Sequence, residues 1–450
     1  MKPEWTAFAT AKVPRYTSYP TAAQFTADVD AGTADDWARA TCQSSPISAY
    51  VHVPFCEQLC WYCGCHTTVP NGYERIARYV STLHREIDLW AGALGRHGGV
   101  GHLHFGGGSP NALSGDDFFA VSEHLRQALR LRDDAEIAVE LDPRALTPER
   151  IRAMAAAGVN RASLGVQTLD PQVQKAVNRI QPRELIQDCI EGLRIAGIAA
   201  INVDLMYGLP HQTIGDLEDM AAFCAHHRIS RIAVFGYAHV PWFAKHQKAI
   251  DEAALPGLKQ RSEQAEAVAQ ALQEAGYQRI GLDHFARPDD PLAIAAREHR
   301  LRRNFQGYTD DPYETLVGIG PSAISAFKHG FAQNTRRSDH WGEAVQAGRL
   351  PTEKGVAISD EDRLRARVIE ALMCDLQADM GAICTQMGYE DFHLDQALVS
   401  AASLSAHGLC EVRDRVVRVP GEARMLIRNV ARCFDQYLPD DTVARHALAV

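Results

Sequence analysis

Tyr50-Val-His-Val-Pro-Phe-Cys-Glu-Gln-Leu-Cys-Trp-Tyr-Cys-Gly-Cys65 sets a mostly apolar run directly before four cysteines, Cys56, Cys60, Cys63 and Cys65. The first three have the spacing C-x3-C-x2-C. Three thiolates on one short loop suit three irons of a four-iron, four-sulfur cube, and the fourth iron then has no protein ligand. A cluster dedicated to electron transfer takes four cysteines. One with an open iron is able to bind a small chelating molecule and pass an electron into it. A disulfide knot conflicts with the long chain, its odd count of 11 cysteines and the lack of a secretory leader. A structural zinc site asks for a second Cys/His pair, and although His66 is adjacent, no second C-x2-C follows. Tyr62 favours the cluster, since an aromatic ring beside Cys63 is able to flank a nucleoside. Cys65 exceeds the three ligands needed. It is a ligand, a shuttling thiol or a packed bystander.

Outward from this loop the chain alternates. Short apolar runs recur at 49–54, 102–105, 136–141, 161–166, 200–206 and 231–237. Between them lie longer segments with apolar residues three and four apart, at 79–94, 116–129 and 183–195. Strands alternating with amphipathic helices predict βαβ units and a parallel sheet. The fold class is therefore α/β, an incomplete (β/α)6 TIM-like barrel, with 277–282 as a possible further strand. In such folds ligands bind at the carboxyl ends of the strands. The chemically suggestive residues fall there: the cysteine loop, Gly106-Gly-Gly-Ser-Pro110, Glu140, Asp142-Pro-Arg144, Gln167, Asp204, and Ala238-His239.

Before the barrel, residues 1–45 form an N-terminal arm containing Pro14-Arg-Tyr-Thr-Ser-Tyr-Pro20, whose prolines favour an ordered, extended path. The barrel and its covering loops are expected over 46–335, with a helix at 255–275. A C-terminal, mostly helical and winged-helix-like domain is expected over 336–450, with a helix at 361–376 and a hairpin at 412–419.

Composition narrows the function. With 450 residues and 46% apolar content the chain is able to bury a large core. A net charge of −10 argues against a generic nucleic-acid binder. No run of about 18 apolar residues is present, so no transmembrane helix is expected, and the protein is read as cytoplasmic. The scattered cysteines, Cys42, Cys189, Cys224, Cys374, Cys384, Cys410 and Cys433, are expected in the core.

Three glycines in a row, Gly106–Gly108, either make a tight turn or bring bare backbone against a ligand. They match neither a Walker loop nor G-x-G-x-x-G. Glu140 and Asp204 end apolar strands, where a carboxylate is costly unless it is paired or bound. A ribose diol is a natural partner, and capping the next helix is the other reading. Gln167 and Arg179 suit a ligand's carboxylate or hydroxyls.

These motifs resemble the radical S-adenosylmethionine superfamily and, within it, the oxygen-independent coproporphyrinogen III oxidase family. The resemblance spans nearly the whole chain. Its specific parts are Pro14-Arg-Tyr-Thr-Ser-Tyr-Pro20, the Cys63-Gly-Cys65 ending and Asp283-His-Phe-Ala-Arg-Pro-Asp-Asp290. It implies that Cys56, Cys60 and Cys63 hold one [4Fe-4S] cluster. One S-adenosylmethionine would lie near Tyr50, Gly107, Glu140 and Ile324, and a second near Tyr62, Gly108, Ser109, Gln167, Arg179, Asp204 and Ala238. It further implies a 5′-deoxyadenosyl radical that oxidatively decarboxylates two propionates of coproporphyrinogen III to vinyl groups, giving protoporphyrinogen IX. An electron donor, a separate electron acceptor and a monomer are expected. The arm would act as a substrate lid, and Arg15 and Arg287 are candidates for the substrate carboxylates. Two rival readings are a haem-binding or haem-transfer protein on the same scaffold and another radical enzyme acting on haem. Ser109 replaces the family's usual threonine but keeps a hydroxyl, and Asp310 stands where a threonine is usual.

Overall fold

The computed structural model describes residues 2–41 and 43–438, so Cys42 lies outside the described residues. Six parallel strands occupy the anticipated runs: β1 Ile47–Val53, β2 Val100–Gly107, β3 Leu131–Leu141, β4 Arg161–Gln167, β5 Ala200–Tyr207 and β6 Arg231–Gly236. Helices separate them. The helix Glu74–Leu94 buries Ile76, Tyr79, Val80, Leu83, Ile87, Trp90 and Leu94, three or four residues apart, so one apolar stripe faces the sheet. Ser114 and Thr147 cap the next two helices by accepting from backbone N–H groups, and Thr213 with Asp216 closes a capping box. Parallel register then brings the strand ends level. Tyr50 lies opposite His104, Glu140 opposite Ser163, and Gly165 opposite Asp204.

The sheet stays open. Beyond β6 lie β7 Gln278–Ile280 and β8 His284–Ala286: β8 pairs antiparallel directly on β6, and β7 pairs antiparallel on β8. The expected strand at 277–282 is thus the outer arm of a short edge hairpin. A separate hairpin joins β9 Arg302–Asn304 to β10 Gly307–Thr309. On the opposite edge β11 Leu316–Ile319 runs parallel to β1, and β12 Ile324–Phe327, β13 Gly330–Asn334 and β14 Thr352–Ala357 follow antiparallel. The sequence reading lacked this edge. Its strands are short and interrupted by glycine and polar residues, so no period-two pattern marks them.

Among the described residues, the C-terminal body packs the helices Asp360–Asp375, Met380–Gln386 and Asp395–Ser405 on a small antiparallel sheet of β15 Gln377–Asp379, β16 Glu411–Arg413 and β17 Val416–Arg418. The bodies separate later than residue 336. The helix Ser338–Gln346 buries Trp341 and Val345 in the barrel core, and β14 belongs to the barrel sheet. The arm joins both bodies. Its helix Ala31–Arg39 sets Ala34 and Ala38 in the barrel core, while Trp5, Ala9, Tyr16 and Tyr19 are buried in the C-terminal core. The Trp5 indole donates to the His407 carbonyl at 2.7 Å, and the Tyr16 hydroxyl to Asp435 at 3.0 Å.

One buried carboxylate locks the added edge to the barrel. Glu86, 0% exposed, accepts from the Trp341 indole at 2.8 Å, the Asn334 amide at 2.7 Å and the Gly320 N–H at 2.8 Å. Gly320 has φ +101°, and a Cβ there would stand 2.6 Å from the His52 carbonyl, so this lock also seats the end of β11 against β1. Glu86→Ala strands these donors and should cost about 2–5 kcal/mol, read as a lower urea midpoint. Burial pushes Glu86 up to about 7. A carboxyl raised in the folded state adds stability that is full below its unfolded value and is lost as pH rises through the folded value. Wild-type stability should therefore fall between pH about 4.5 and 7 more steeply than that of Glu86→Gln. Parallel curves would remove Glu86 as the titrating group.

Candidate active site

The cysteine loop leaves β1 and is pinned from several sides. The Trp61 N–H donates to the Val177 carbonyl at 3.0 Å, and the Asn178 amide to the Leu59 carbonyl at 2.8 Å. Gln247 donates to the Tyr62 carbonyl at 2.9 Å, and His246 meets the Cys63 carbonyl at 2.6 Å. The sulfurs of Cys56, Cys60 and Cys63 all accept hydrogen bonds. Cys56 takes one from the Thr67 hydroxyl at 3.1 Å, and Cys63 one from the Cys65 N–H at 3.4 Å. Cys60 takes two, from the Arg144 and Arg179 guanidiniums, each at 3.2 Å. Elsewhere the pattern reverses: Cys189 and Cys410 are buried and donate to carbonyls. Sulfurs that accept are prepared to be thiolate ligands. Burial pushes the Cys56 thiol up to about 11, so its deprotonation depends on a metal partner. Hydrogen bonds from Cys65, side chain first and then backbone, hold the Cys63 thiol below its ordinary value. Cys65 itself is exposed.

The glycines are dictated by what surrounds them. A Cβ at Gly106 would stand 2.8 Å from a Glu140 carboxylate oxygen, and one at Gly107, with φ +108°, 2.7 Å from the His52 ring. One at Gly108 would stand 2.5 Å from the Phe55 carbonyl. The β2 end thus lies between the cysteine loop and the β3 carboxylate with no room for side chains. The Ser109 hydroxyl turns inward, bonded to Asn111 and accepting from the Asp142 N–H.

Behind the loop, Asp142 binds both guanidiniums that reach Cys60, Arg144 at 2.6 Å and Arg179 at 3.3 Å. Arg179 also donates to the Gly165 carbonyl at 3.1 Å. A Cβ on Gly165 would meet both Arg179 and the Gln167 amide, so these two predicted residues share one spot beside the cluster loop.

Within the barrel a cavity of about 310 Å³ is lined by Tyr50, His104, Glu140 and Asp204. The Tyr50 hydroxyl and His52 Nδ1 are 3.2 Å apart, and the Tyr50 ring stacks on His104 with centroids 5.7 Å apart. Ile324 adjoins Tyr50 across Gly318, whose position opposite Tyr50 touches the Ile324 backbone. Glu140 meets His104 Nε2 at 2.9 Å and accepts from the Gly107 N–H at 3.3 Å. Burial raises the Glu140 carboxyl, but these partners outweigh it and hold it below its ordinary value. Asp204 goes the other way: burial first, then the charge of Glu140, push it up to about 6. Neither carboxylate caps a helix. Both face the cavity.

A second cavity, of about 630 Å³, adjoins the first through Phe235, His284 and Gln306. Ala238 and Arg15 line it, whereas Arg287 does not. Because β8 runs antiparallel to β6, Ala286 lies opposite Arg231, and Arg287 emerges at the amino end of β6, paired with Asp289 at 3.1 Å. Asp310 is also at that end, bonded to Arg231 at 2.9 Å. It is a structural partner of β6 rather than part of the strand-end site. Sequence reasoning marks Arg144 only as part of a suggestive strand-end run and misses His104, Thr67, His246 and Gln247 as site residues.

Among the described residues, no three Cys, His, Asp or Glu side chains converge closely enough to hold one metal ion. The donor set instead suits a four-iron cluster, three of whose irons would each take one thiolate while the fourth is left without a protein ligand.

The family model of the Radical SAM superfamily matches residues 50–224. An oxygen-independent coproporphyrinogen III oxidase of Bradyrhizobium diazoefficiens is 47% identical over 443 residues, 98% of this chain and 97% of that protein. One from Salmonella typhimurium is 38% identical over 429 residues, 94% and 93% of the two chains. The solved structure of Escherichia coli coproporphyrinogen III oxidase, described as a radical SAM enzyme, superposes with a TM-score of 0.89 at 36% identity, covering 95% of this chain and 100% of that one. The chain belongs to the family of oxygen-independent coproporphyrinogen III oxidases. Membership implies a [4Fe-4S] cluster and S-adenosylmethionine, and the accepting sulfurs fit that cluster.

Glu140→Ala should weaken S-adenosylmethionine binding about ten- to a hundred-fold while the iron content is kept, measured by equilibrium dialysis on reconstituted protein. Gly108→Ala should act the other way, driving the Phe55 carbonyl aside and lowering iron incorporation. Normal iron in Gly108→Ala would show that the loop tolerates the shift.

Proposed function

We propose that the protein is an anaerobic oxidative decarboxylase that converts two propionates of coproporphyrinogen III to vinyl groups, yielding protoporphyrinogen IX. The observation that carries this reading is the set of three accepting cysteine sulfurs on the loop after β1, with a barrel cavity lined by Tyr50, Glu140 and Asp204, in a chain of this family. When bound, a reduced cluster and S-adenosylmethionine supply a 5′-deoxyadenosyl radical. The protein's residues position and shield the reactants. Cys56, Cys60 and Cys63 ligate the cluster. Tyr50, Gly107, Glu140 and Ile324 bind one S-adenosylmethionine, with the Glu140 carboxylate accepting from ribose hydroxyls or the amino group. Tyr62, Gly108, Gln167, Arg179, Asp204 and Ala238 serve a second molecule. Ser109 acts through the Asp142 backbone, which its hydroxyl fixes. Arg15, which lines the larger cavity, meets a substrate carboxylate in this reading.

Lys12, Arg15 and Thr17 of the arm line the larger cavity, and its tyrosines are buried in the C-terminal core, which supports a lid role for the arm. Excluding water in this way protects a carbon radical from quenching. Because the arm carries part of that core, point changes at Arg15 or Thr17 test its lid role more cleanly than truncation. The same proposal includes an external electron donor, a separate electron acceptor, and a monomer acting in the cytoplasm. No helix of the described residues is long and apolar enough to cross a membrane.

The test is anaerobic turnover of coproporphyrinogen III with S-adenosylmethionine and a reductant. Protoporphyrinogen IX and 5′-deoxyadenosine should form. Absence of both from cluster-loaded protein would refute the reading. Cys56→Ala, Cys60→Ala and Cys63→Ala should each lose the four-iron cluster and all turnover, while Cys65→Ser should still assemble it. Near-normal iron and sulfide in any of the three alanine variants would break the ligand assignment.

A further inference from the structure

The larger cavity holds a charge imbalance. Lys12 and Arg15 from the arm, Arg261 from the helix Leu258–Glu274, Arg279 from β7, Arg303 from β9 and Arg428 from the helix Ile427–Arg432 all line it. Among the described residues Asp283 is the only carboxylate lining it. Six basic side chains, two from the arm and four from other elements, thus line the cavity with one acid. Burial, then the charge of Arg15, push Arg428 down to about 10, and burial holds Arg279 below its ordinary value.

Two of these guanidiniums carry donors that the protein leaves unused. Arg303 Nη1 and Arg279 Nε are buried without a hydrogen-bond partner. The rest of Arg303 is committed: Nε donates to the Tyr16 carbonyl at 3.2 Å, and the group lies 4.4 Å from the Tyr308 ring centroid. Arg279 lies 5.9 Å from the Phe285 ring and only 4.0 Å from Glu266. Both are thus oriented while one buried N–H of each is left without a partner. A buried unpaired donor costs about 1–3 kcal/mol, more when charged. Such a cost persists where an anion from outside completes the site. Apolar and aromatic side chains, Tyr207, Phe235, Tyr237, Trp242, Leu282 and Phe305, share the remaining walls with His239, His284 and Gln306.

We propose that Arg279 and Arg303 are the principal anchors for the propionate carboxylates of the substrate in this cavity, with Arg15, Arg261 and Arg428 as supporting cations. This deepens the coproporphyrinogen reading and rests on it. A carboxylate could also come from S-adenosylmethionine, since Ala238 borders the same space. The substrate is the better match. It brings four carboxylates around an apolar macrocycle, whereas the cofactor brings one. Arginine suits this task because its planar fork binds carboxylates in bidentate fashion.

The test uses cluster-loaded holoenzyme with Arg279→Gln, Arg303→Gln, the double variant, and Arg→Lys at each position. Iron content and S-adenosylmethionine affinity report on the intact fold and cofactor site. Affinities for coproporphyrinogen III and for its tetramethyl ester are measured anaerobically. Each glutamine variant should bind the tetra-acid about ten- to a hundred-fold more weakly. The lysine variants should fall between, because they keep the charge and lose the fork. The ester should bind weakly and equally to all proteins, and S-adenosylmethionine affinity should not move. Unchanged tetra-acid affinity in the glutamine variants would overturn the proposal while wild-type turnover leaves the function standing. A loss confined to S-adenosylmethionine would assign the arginines to the cofactor and also overturn it. Should glutamine variants fail to load the cluster, the lysine variants decide: tetra-acid affinity equal to wild type overturns the proposal, and a selective loss supports it. A wild-type protein that does not turn over coproporphyrinogen would remove the function and the proposal together.

Discussion

Among the several ties on the cluster loop, one buried carboxylate reaches its Cys60 sulfur through two arginines. Asp142 follows β3, binds Arg144 and Arg179, and both of those guanidiniums reach the Cys60 sulfur. All three side chains are largely buried, so their attraction is little screened by water. Breaking such a group from one side leaves charge stranded, which costs far more than an exposed pair would. Through this knot the ends of β3 and β4, the helix Pro171–Ala176 and the cysteine loop share one geometry. The glycines of β2 complete it from the opposite side by leaving room for Glu140 and His52.

Two carboxylates then divide the work inside the barrel. Glu140 keeps its charge through His104 and the Gly107 N–H, while Asp204 is pushed up beside it. Environments that drive neighbouring acids apart are characteristic of sites built for ligands. The inner cavity adjoins the larger, basic one through Phe235, His284 and Gln306. Lys12, Arg15 and Thr17 of the arm and Met425 and Arg428 of the C-terminal body line that second space.

Much of this was legible before any coordinates. The six parallel strands and the helices at 183–195 and 255–275 follow from periodicity, and the C-x3-C-x2-C loop lies at the end of β1 as expected. What escaped had physical reasons. The strands β11–β14 are short and polar-interrupted, and they pair across the barrel edge by tertiary contact rather than by pattern. Trp341 reads as part of a C-terminal helix, yet its indole bonds Glu86 more than two hundred residues earlier. Arg287 sits in a distinctive motif, but the reversal of β8 carries it to the far end of β6. The cavity arginines come from the arm, a helix, two edge strands and the C-terminal body, so no local stretch of sequence shows them as a group. Tyr16 and Tyr19 read as part of an ordered, extended arm suited to a flat substrate, and their rings fill the C-terminal core.

The central claim is that three thiolates leave one iron of the cluster open for S-adenosylmethionine. The most direct measurement is pulsed electron paramagnetic resonance of the reduced, reconstituted protein with S-adenosylmethionine carrying isotopically labelled amino nitrogen or carboxylate oxygen. The account predicts hyperfine coupling from the labelled atoms to the cluster in wild type and in Cys65→Ser. A cluster with no such coupling in wild type, or one that gains it only when Cys65 is removed, would mean that a fourth thiolate fills the position and would contradict the account.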